Sequence, residues 1–318
     1  MNKKLTSEQI KKFKDELQKI SELEFDQFEQ IQDVANEIVS FGGTEWAKKI
    51  YIKALKKAEE SEITCFQNAH KFFKADREVV MTAVKAWGPV LQYVDKKFKS
   101  DREILLATKP YLSAAIDYAD KSFLKDKEII TLAIKQSEIG ETRYTISMLD
   151  KTMRKDRNIA LPAIKKDGMA LEYVDKSFKK DKAIVLAAVK QNGSALQFAD
   201  EFLKKDKAVV LAALKQDGSA LQYTDKSLQK DKVFILSLFK QKIKTYALIR
   251  HIDESLRKDK AIVMAAVKQN GWALEYADES LKKDKEVVLA AVKTTPDAIE
   301  AADKILKKDK LFLKLMKE

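Results

Sequence analysis

The chain is poor in the residues that reactive chemistry and frequent turns require. It has one cysteine, Cys65, and two histidines, His70 and His251. A single thiol excludes an internal disulfide framework and fits a reducing compartment. Eight glycines and four prolines in 318 residues leave few turn signals, and nothing alternates with period two, so strands are not expected. Only seven of the 61 basic residues are arginine: Arg77, Arg102, Arg143, Arg154, Arg157, Arg250 and Arg257. Arginine supplies most bidentate recognition of bases and phosphates, whereas lysine acts as a hydrated point charge. A formal charge of +12 carried by lysine therefore reads first as a solvated surface. The longest apolar runs, such as Ala183 to Val189, fall far short of the ~20 residues needed to cross a bilayer. No apolar stretch follows the basic start, because Ser7, Glu8, Gln9, Lys11 and Lys12 intervene, so no signal peptide or membrane span is expected and the cytoplasm is the expected location. No phosphate-cradling glycine loop, zinc-ligand cluster or nucleophile elbow is present.

What the chain does have is a period. An Asp followed by Lys or Arg recurs at Asp76, Asp101, Asp126, Asp156, Asp181, Asp206, Asp231, Asp259, Asp284 and Asp309, with steps of 25, 25, 30, 25, 25, 25, 28, 25 and 25 residues. A fixed period of this size marks a solenoid, in which each unit buries its apolar face against its neighbours. The expected fold is all-α: an α-solenoid of short two-helix repeats of about 25 residues.

The unit at Asp206 shows why. Asp206 precedes an apolar segment and can accept the orphan amide protons of a first helical turn. Val209, Val210, Ala213 and Leu214 recur at helical spacing, and Leu211 and Ala212 are expected to widen the buried surface, which suits a helix sandwiched between neighbours. Lys215 lies in the last turn, and Gly218 is expected to end the helix in the left-handed conformation. A shorter helix with Ala220, Leu221 and Tyr223 follows, and Asp225 caps one more turn holding Leu228. Short connections make the two helices antiparallel neighbours.

Columns persist along the chain. Asp95, Asp120, Asp150, Asp175, Asp200, Asp225, Asp253, Asp278 and Asp303 stand six before an anchor, where His70 takes the same place ahead of Asp76. Capping explains both Asp columns better than cation binding, and gives His70 a structural role. Lys recurs nine after the anchor, as in Lys85, Lys190, Lys215 and Lys268. The aromatics Tyr93, Tyr118, Tyr173, Phe198, Tyr223 and Tyr276 read as core with hydroxyls at the rim. Cys65 aligns with small core residues and reads as a buried hydrophobe.

The stretch Asp259-Lys-Ala-Ile-Val-Met-Ala-Ala-Val-Lys-Gln-Asn-Gly-Trp-Ala-Leu-Glu-Tyr-Ala-Asp resembles the repeat of the domain-of-unknown-function 4116 family. The likeness is close in the units from Asp181, Asp206, Asp259 and Asp284 and recognisable from about residue 62 onward. It implies an all-α array and brings no catalytic residue, cofactor or ligand.

Residues 1–60 depart from the repeat and are expected to form an N-terminal helical cap, with the array over 61–318. Ile10, Phe13, Leu17, Ile20 and Leu23 outline one helix; Phe28, Ile31, Val34, Ala35 and Ile38 a second; Trp46, Ile50, Ala54 and Leu55 a third, capped by Thr44. The last unit, Asp309 to Glu318, is half a repeat that would close the other end.

Function is expected to be non-catalytic: a helical-repeat scaffold for a protein or peptide partner. A second reading is sequence-independent binding of nucleic acid through a lysine ridge at Lys204, Lys205 and Lys207. A third is a helical-repeat enzyme acting on nucleic acid, disfavoured by the scarcity of His and Arg. No metal or cofactor is expected. The two units that break the period, at Asp126 and Asp231, concentrate Arg143, Tyr144, Tyr246, Arg250 and His251. Extra length in a repeat often projects on the binding face, and Tyr and Arg are enriched at interface centres, so these five are the candidate partner contacts. Pro162 should kink its helix or delay its start.

Overall fold

A computed structural model describes residues 5–21, 27–58, 63–109, 111–241, 243, 245–310 and 312. Every regular element among them is helical, and no described helix is long and apolar enough to cross a membrane. The chain divides into two units, Met1–Met153 and Arg154–Glu318. Within each, short helical repeats stack on one another as a solenoid.

Each repeat begins at its anchor. Asp206 is extended, and its Oδ1 accepts from the amides of Ala208 and Val209 at 2.9 and 3.1 Å, which starts the helix Lys207–Gln216. Asp76, Asp101, Asp126, Asp181, Asp259 and Asp284 do the same for their helices. Each such cap contributes about 1 kcal/mol. Val209, Val210, Ala213 and Leu214 are fully buried. Leu211 and Ala212 are not: they are half-buried, beside exposed Ala208 and Lys215. At 100° per residue, positions two, five, six and nine after the anchor share one sector of roughly 100°. The sandwiched helix expected from composition is therefore a helix with one outward, largely apolar face.

The helix ends differently from expectation. Asp217 takes an extended conformation (φ −144°, ψ 114°), and its carboxylate accepts from the amide of Ser219 to start a 3-10 helix, Gly218–Tyr223. None of the repeat glycines is left-handed; the glycine with positive φ is Gly42, in the cap. What requires glycine is close approach. A Cβ on Gly168, Gly193 or Gly271 would lie 2.4, 2.6 or 2.3 Å from the carbonyl oxygen of Ala188, Ala213 or Ala291 in the following repeat. Asp225 then caps the one-turn helix Lys226–Lys230, with Leu228 buried. The repeat thus has three pieces, and the second helix is 3-10 in most units.

Polar groups left open by these short pieces are closed by the next repeat. The amides of Asp200, Asp225 and Asp278 donate to the carbonyls of Lys179, Lys204 and Arg257. Gln191 accepts from the amide of Gly168 at 2.6 Å and donates to the carbonyl of Lys166 at 3.1 Å; Gln216 accepts from Gly193 at 2.9 Å.

In the two irregular units an α-helix replaces the 3-10 helix: Ile139–Met148 and Thr245–His251. Thr142, Thr145 and Ile146, and Leu248 and Ile249, are buried. The extra residues lengthen the second element rather than project from it. Pro162 lies inside Arg157–Lys166 without delaying that helix, which starts directly after Asp156 as its counterparts do.

The cap consists of Ser7–Ser21, Gln27–Ser40 and Thr44–Leu55. Leu23 and most of the half-repeat 309–318 lie outside the described residues. Gly42 (φ 90°) closes the second helix, with the amide of Gly43 donating to the carbonyl of Ile38 at 2.9 Å. Gly43, not Thr44, is the N-cap of the third. Tyr51 is fully buried, stacks on Phe73 with ring centroids 4.2 Å apart, and donates to Gln32 at 2.6 Å. Gln32 in turn donates to the carbonyl of Cys65 at 3.0 Å. Cys65 itself is half-buried rather than enclosed.

Candidate functional site

The charges pair in a ladder that the sequence did not announce. Among the described residues, eight of the anchor carboxylates use Oδ1 as a cap and Oδ2 to accept the cation that follows the previous anchor. Lys182 reaches Asp206 at 2.6 Å, Lys207 reaches Asp231 at 3.0 Å, Lys232 reaches Asp259 at 2.5 Å and Lys285 reaches Asp309 at 2.8 Å. Arg77 and Arg157 do the same to Asp101 and Asp181, and Lys48 of the cap to Asp76 at 2.9 Å. Side-chain hydrogen bonds from Arg77, Arg157, Lys182 and Lys232 hold Asp101, Asp181, Asp206 and Asp259 below the ordinary carboxylate range. Pairing of this kind demanded side-chain geometry; the signal in the sequence was the Asp-Lys/Arg dipeptide recurring at steps of 25 to 30 residues.

The three lysines of the expected ridge are ion-paired. Lys204 is 18% exposed and pairs with Glu201 at 2.9 Å; Lys205 faces Asp225 at 3.5 Å; Lys207 faces Asp231. In sister repeats the residue two before the anchor ties down the end of its own 3-10 helix: Lys99 donates to the carbonyl of Gln92 at 2.8 Å and Lys179 to that of Glu172 at 2.7 Å.

The residues of the irregular units fall in different places. Arg143 and Tyr144 belong to the first unit; Tyr246, Arg250 and His251 belong to the second. Tyr144 is 52% exposed, and a hydrogen bond to Asp117 raises its phenol; Arg143 is half-buried. Tyr246 meets Tyr276 edge-on with hydroxyls 3.0 Å apart, and that bond pushes its phenol up to about 12. Arg250 is exposed. His251 is half-buried, and burial, then Arg250 and Arg257, lower its pKa, so it is neutral near pH 7. His70 is lowered by burial as well, and its Nδ1 accepts from the amide of Phe72 at 3.1 Å, the capping role expected of it. The aromatic column is half-buried rather than core, with Tyr118 36% exposed, because Ala220 and Leu221 and their counterparts fill the inner side of the 3-10 helices. Among the described residues no group of His, Cys, Asp and Glu has metal-holding geometry.

The outward face of the first helices is the feature that sequence reading missed. In the second unit Leu186, Leu211, Leu236, Met264 and Leu289 form a half-buried row along it. Lys190, Ala208, Leu211, Ala212, Lys215 and Gln216 line a groove of about 480 Å³. The equivalent positions of the first unit, Met81, Thr82, Lys85 and Ala86, line with the cap a groove of about 1500 Å³. The signal was present as Leu and Ala at positions five and six, but it was read as core because burial on one side cannot be told from burial on both by composition.

Tandem helical repeats and an anchored helical cap define an α-helical repeat protein. Family matching makes this specific: the domain of unknown function DUF4116 matches residues 76–108, 156–204, 181–229, 206–257, 234–282 and 259–307, more than half of the chain. The chain belongs to that family. No curated protein and no solved structure matches it.

Proposed function

We propose that this chain is a non-catalytic repeat scaffold that binds a protein or peptide partner through the outward face of its first helices. The observation that carries the reading is that this face is apolar yet open: Leu186, Leu211, Leu236 and Met264 are half-buried where the opposite side of the same helices is sealed. Exposed apolar surface arranged in a row, rather than scattered, marks interaction sites. The use of His70 as a helix cap supports the non-catalytic part. A lone half-buried thiol suits a reducing, cytoplasmic setting. The pairing of Lys205 and Lys207 with carboxylates of the next repeat favours a protein partner over a polyanion on that edge.

Affinity capture with the tagged chain, with and without nuclease, tests this. A protein retained in near-stoichiometric amount after nuclease treatment is the expected result. Capture that vanishes with nuclease would move the reading to nucleic acid.

A further inference from the structure

Most first helices of the second unit differ from those of the first in charge, while Lys285–Thr294 keeps Glu286. Lys182–Gln191, Lys207–Gln216, Lys232–Lys240 and Lys260–Val267 contain no Asp or Glu. Position two after the anchor, Glu in Arg77–Ala86, Arg102–Ala107 and Lys127–Gln136, is here exposed Ala183, Ala208, Val233 and Ala261. Nine after the anchor, Lys165, Lys190, Lys215, Lys240, Lys268 and Lys293 are all exposed and have no hydrogen-bonded or ion-paired partner among the described residues. So the second unit carries two classes of lysine: those wired into the ladder and this free row. The free row runs beside the half-buried leucines and flanks the groove at Leu211.

From this charge pattern we propose that the face takes an acidic amphipathic helix, a reading that rests on the scaffold function above and names its ligand. Helices packed side by side lie ~8–10 Å apart, so the free lysines recur at about that spacing. On a ligand helix, residues seven apart lie on one face about 10.5 Å apart, which matches. On an extended ligand, same-face residues recur at about 6.7 or 13 Å, which does not. A carboxylate every seventh residue meets successive lysines, and apolar side chains three and four positions on meet the leucine row. Nucleic acid fits less well: the face offers no arginine, and its leucine and alanine rows would desolvate a phosphate without bonding it.

The test is selection of phage-displayed random peptides about 20 residues long, enough helix to cross three repeats, on the intact chain. Winners are then titrated against wild type and the triple variant Lys190→Glu/Lys215→Glu/Lys240→Glu. The same charges are also removed without reversal as Lys190→Gln/Lys215→Gln/Lys240→Gln, with urea midpoints confirming both folds. The expected winners carry Asp or Glu at seven-residue spacing with Leu or Ile between, and lose at least about tenfold in affinity in both variants. Winners indifferent to both variants overturn the inference while leaving the scaffold reading intact. A mixed single-stranded oligonucleotide or phosphatidylserine vesicles bound more tightly than the winners, with loss in both variants, overturns it in favour of a polyanion or a membrane. A selection that yields no peptide at all counts against both readings.

Discussion

The helices Arg77–Ala86 and Lys207–Gln216 hold the same place in their repeats and present different surfaces. In the first, Arg77 reaches both the next anchor, Asp101, and Glu103 two residues beyond it, while the helix's own Glu78 accepts from Lys48 at 3.0 Å. In the second, Lys207 reaches Asp231 and lies 5.2 Å from the centroid of the Phe234 ring, and the position two beyond that anchor is Val233, 78% exposed. Both helices are stacked by the same rung, yet one neutralises its outer face and the other leaves it open. One repeat can therefore be tuned for a ligand without disturbing what stacks it.

The stacking half of this comparison breaks hardest at glycine. Gly193→Ala forces a methyl to within 2.6 Å of a backbone carbonyl, and overpacking of that kind costs about 1–3 kcal/mol. Gly140→Ala, in the lengthened helix of an irregular unit where a Cβ meets nothing within 4 Å, should stabilise by about 0.5–1 kcal/mol. Urea denaturation of the two variants gives opposite shifts; equal shifts would show that close approach is not what the repeat glycines are for.

The anchor comes next. Asp206→Ala removes the cap and the acceptor for Lys182 together and should cost about 1–2 kcal/mol. Asp206→Asn keeps an oxygen at the cap and loses only the ion pair, so its cost should be under about 1 kcal/mol. If the two variants are indistinguishable by urea midpoint, capping is not the anchor's main role.

Acid should reveal the whole ladder at once. Because Asp101, Asp181, Asp206 and Asp259 titrate below their ordinary 3.8 when folded, the unfolded chain takes up protons first on acidification. The stability they contribute is complete above their unfolded values and is lost as pH falls through the folded ones. The urea midpoint should therefore hold level as these groups stay ionised and fall below about pH 4. A midpoint that rises on acidification below that point contradicts the ladder.

The smallest stability effect is expected where the surfaces differ. Ala183→Glu/Ala208→Glu copies the pattern of the first unit onto the second, and exposed substitutions of this kind shift stability by no more than about 0.5 kcal/mol. Affinity for an acidic helix should nevertheless drop, because carboxylates then share the face of Lys190 and Lys215, about two turns away. An unchanged affinity separates that face from the binding site.

Much of this was legible before any coordinates. The anchor and second Asp columns, the cap role of His70 and the buried quartet Val209, Val210, Ala213 and Leu214 follow from helical spacing and capping chemistry. Three things were not. The 3-10 helix Gly218–Tyr223, which packs against Thr245–His251 of the next repeat, has no sequence period that distinguishes it from a short α-helix. The glycines looked like helix terminators because left-handed geometry is the commoner demand, whereas here a neighbour's carbonyl excludes the side chain. The lysines all looked alike, although Lys182 bonds across repeats and Lys190 bonds to nothing described. The local sequence around them, Lys-Ala at one and Lys-Gln at the other, gives no hint of that division.

That division of lysines is tested most directly by zero-length carbodiimide cross-linking of the intact chain to its captured protein partner, which joins a partner carboxylate only to an amine in contact with it. Mass spectrometry of the product should place the links at Lys190, Lys215, Lys240 and Lys268, on the open face of the first helices. Links gathered instead at Lys204, Lys205 and Lys207, or a contact confined to the segment holding Tyr246, Arg250 and His251, would contradict it.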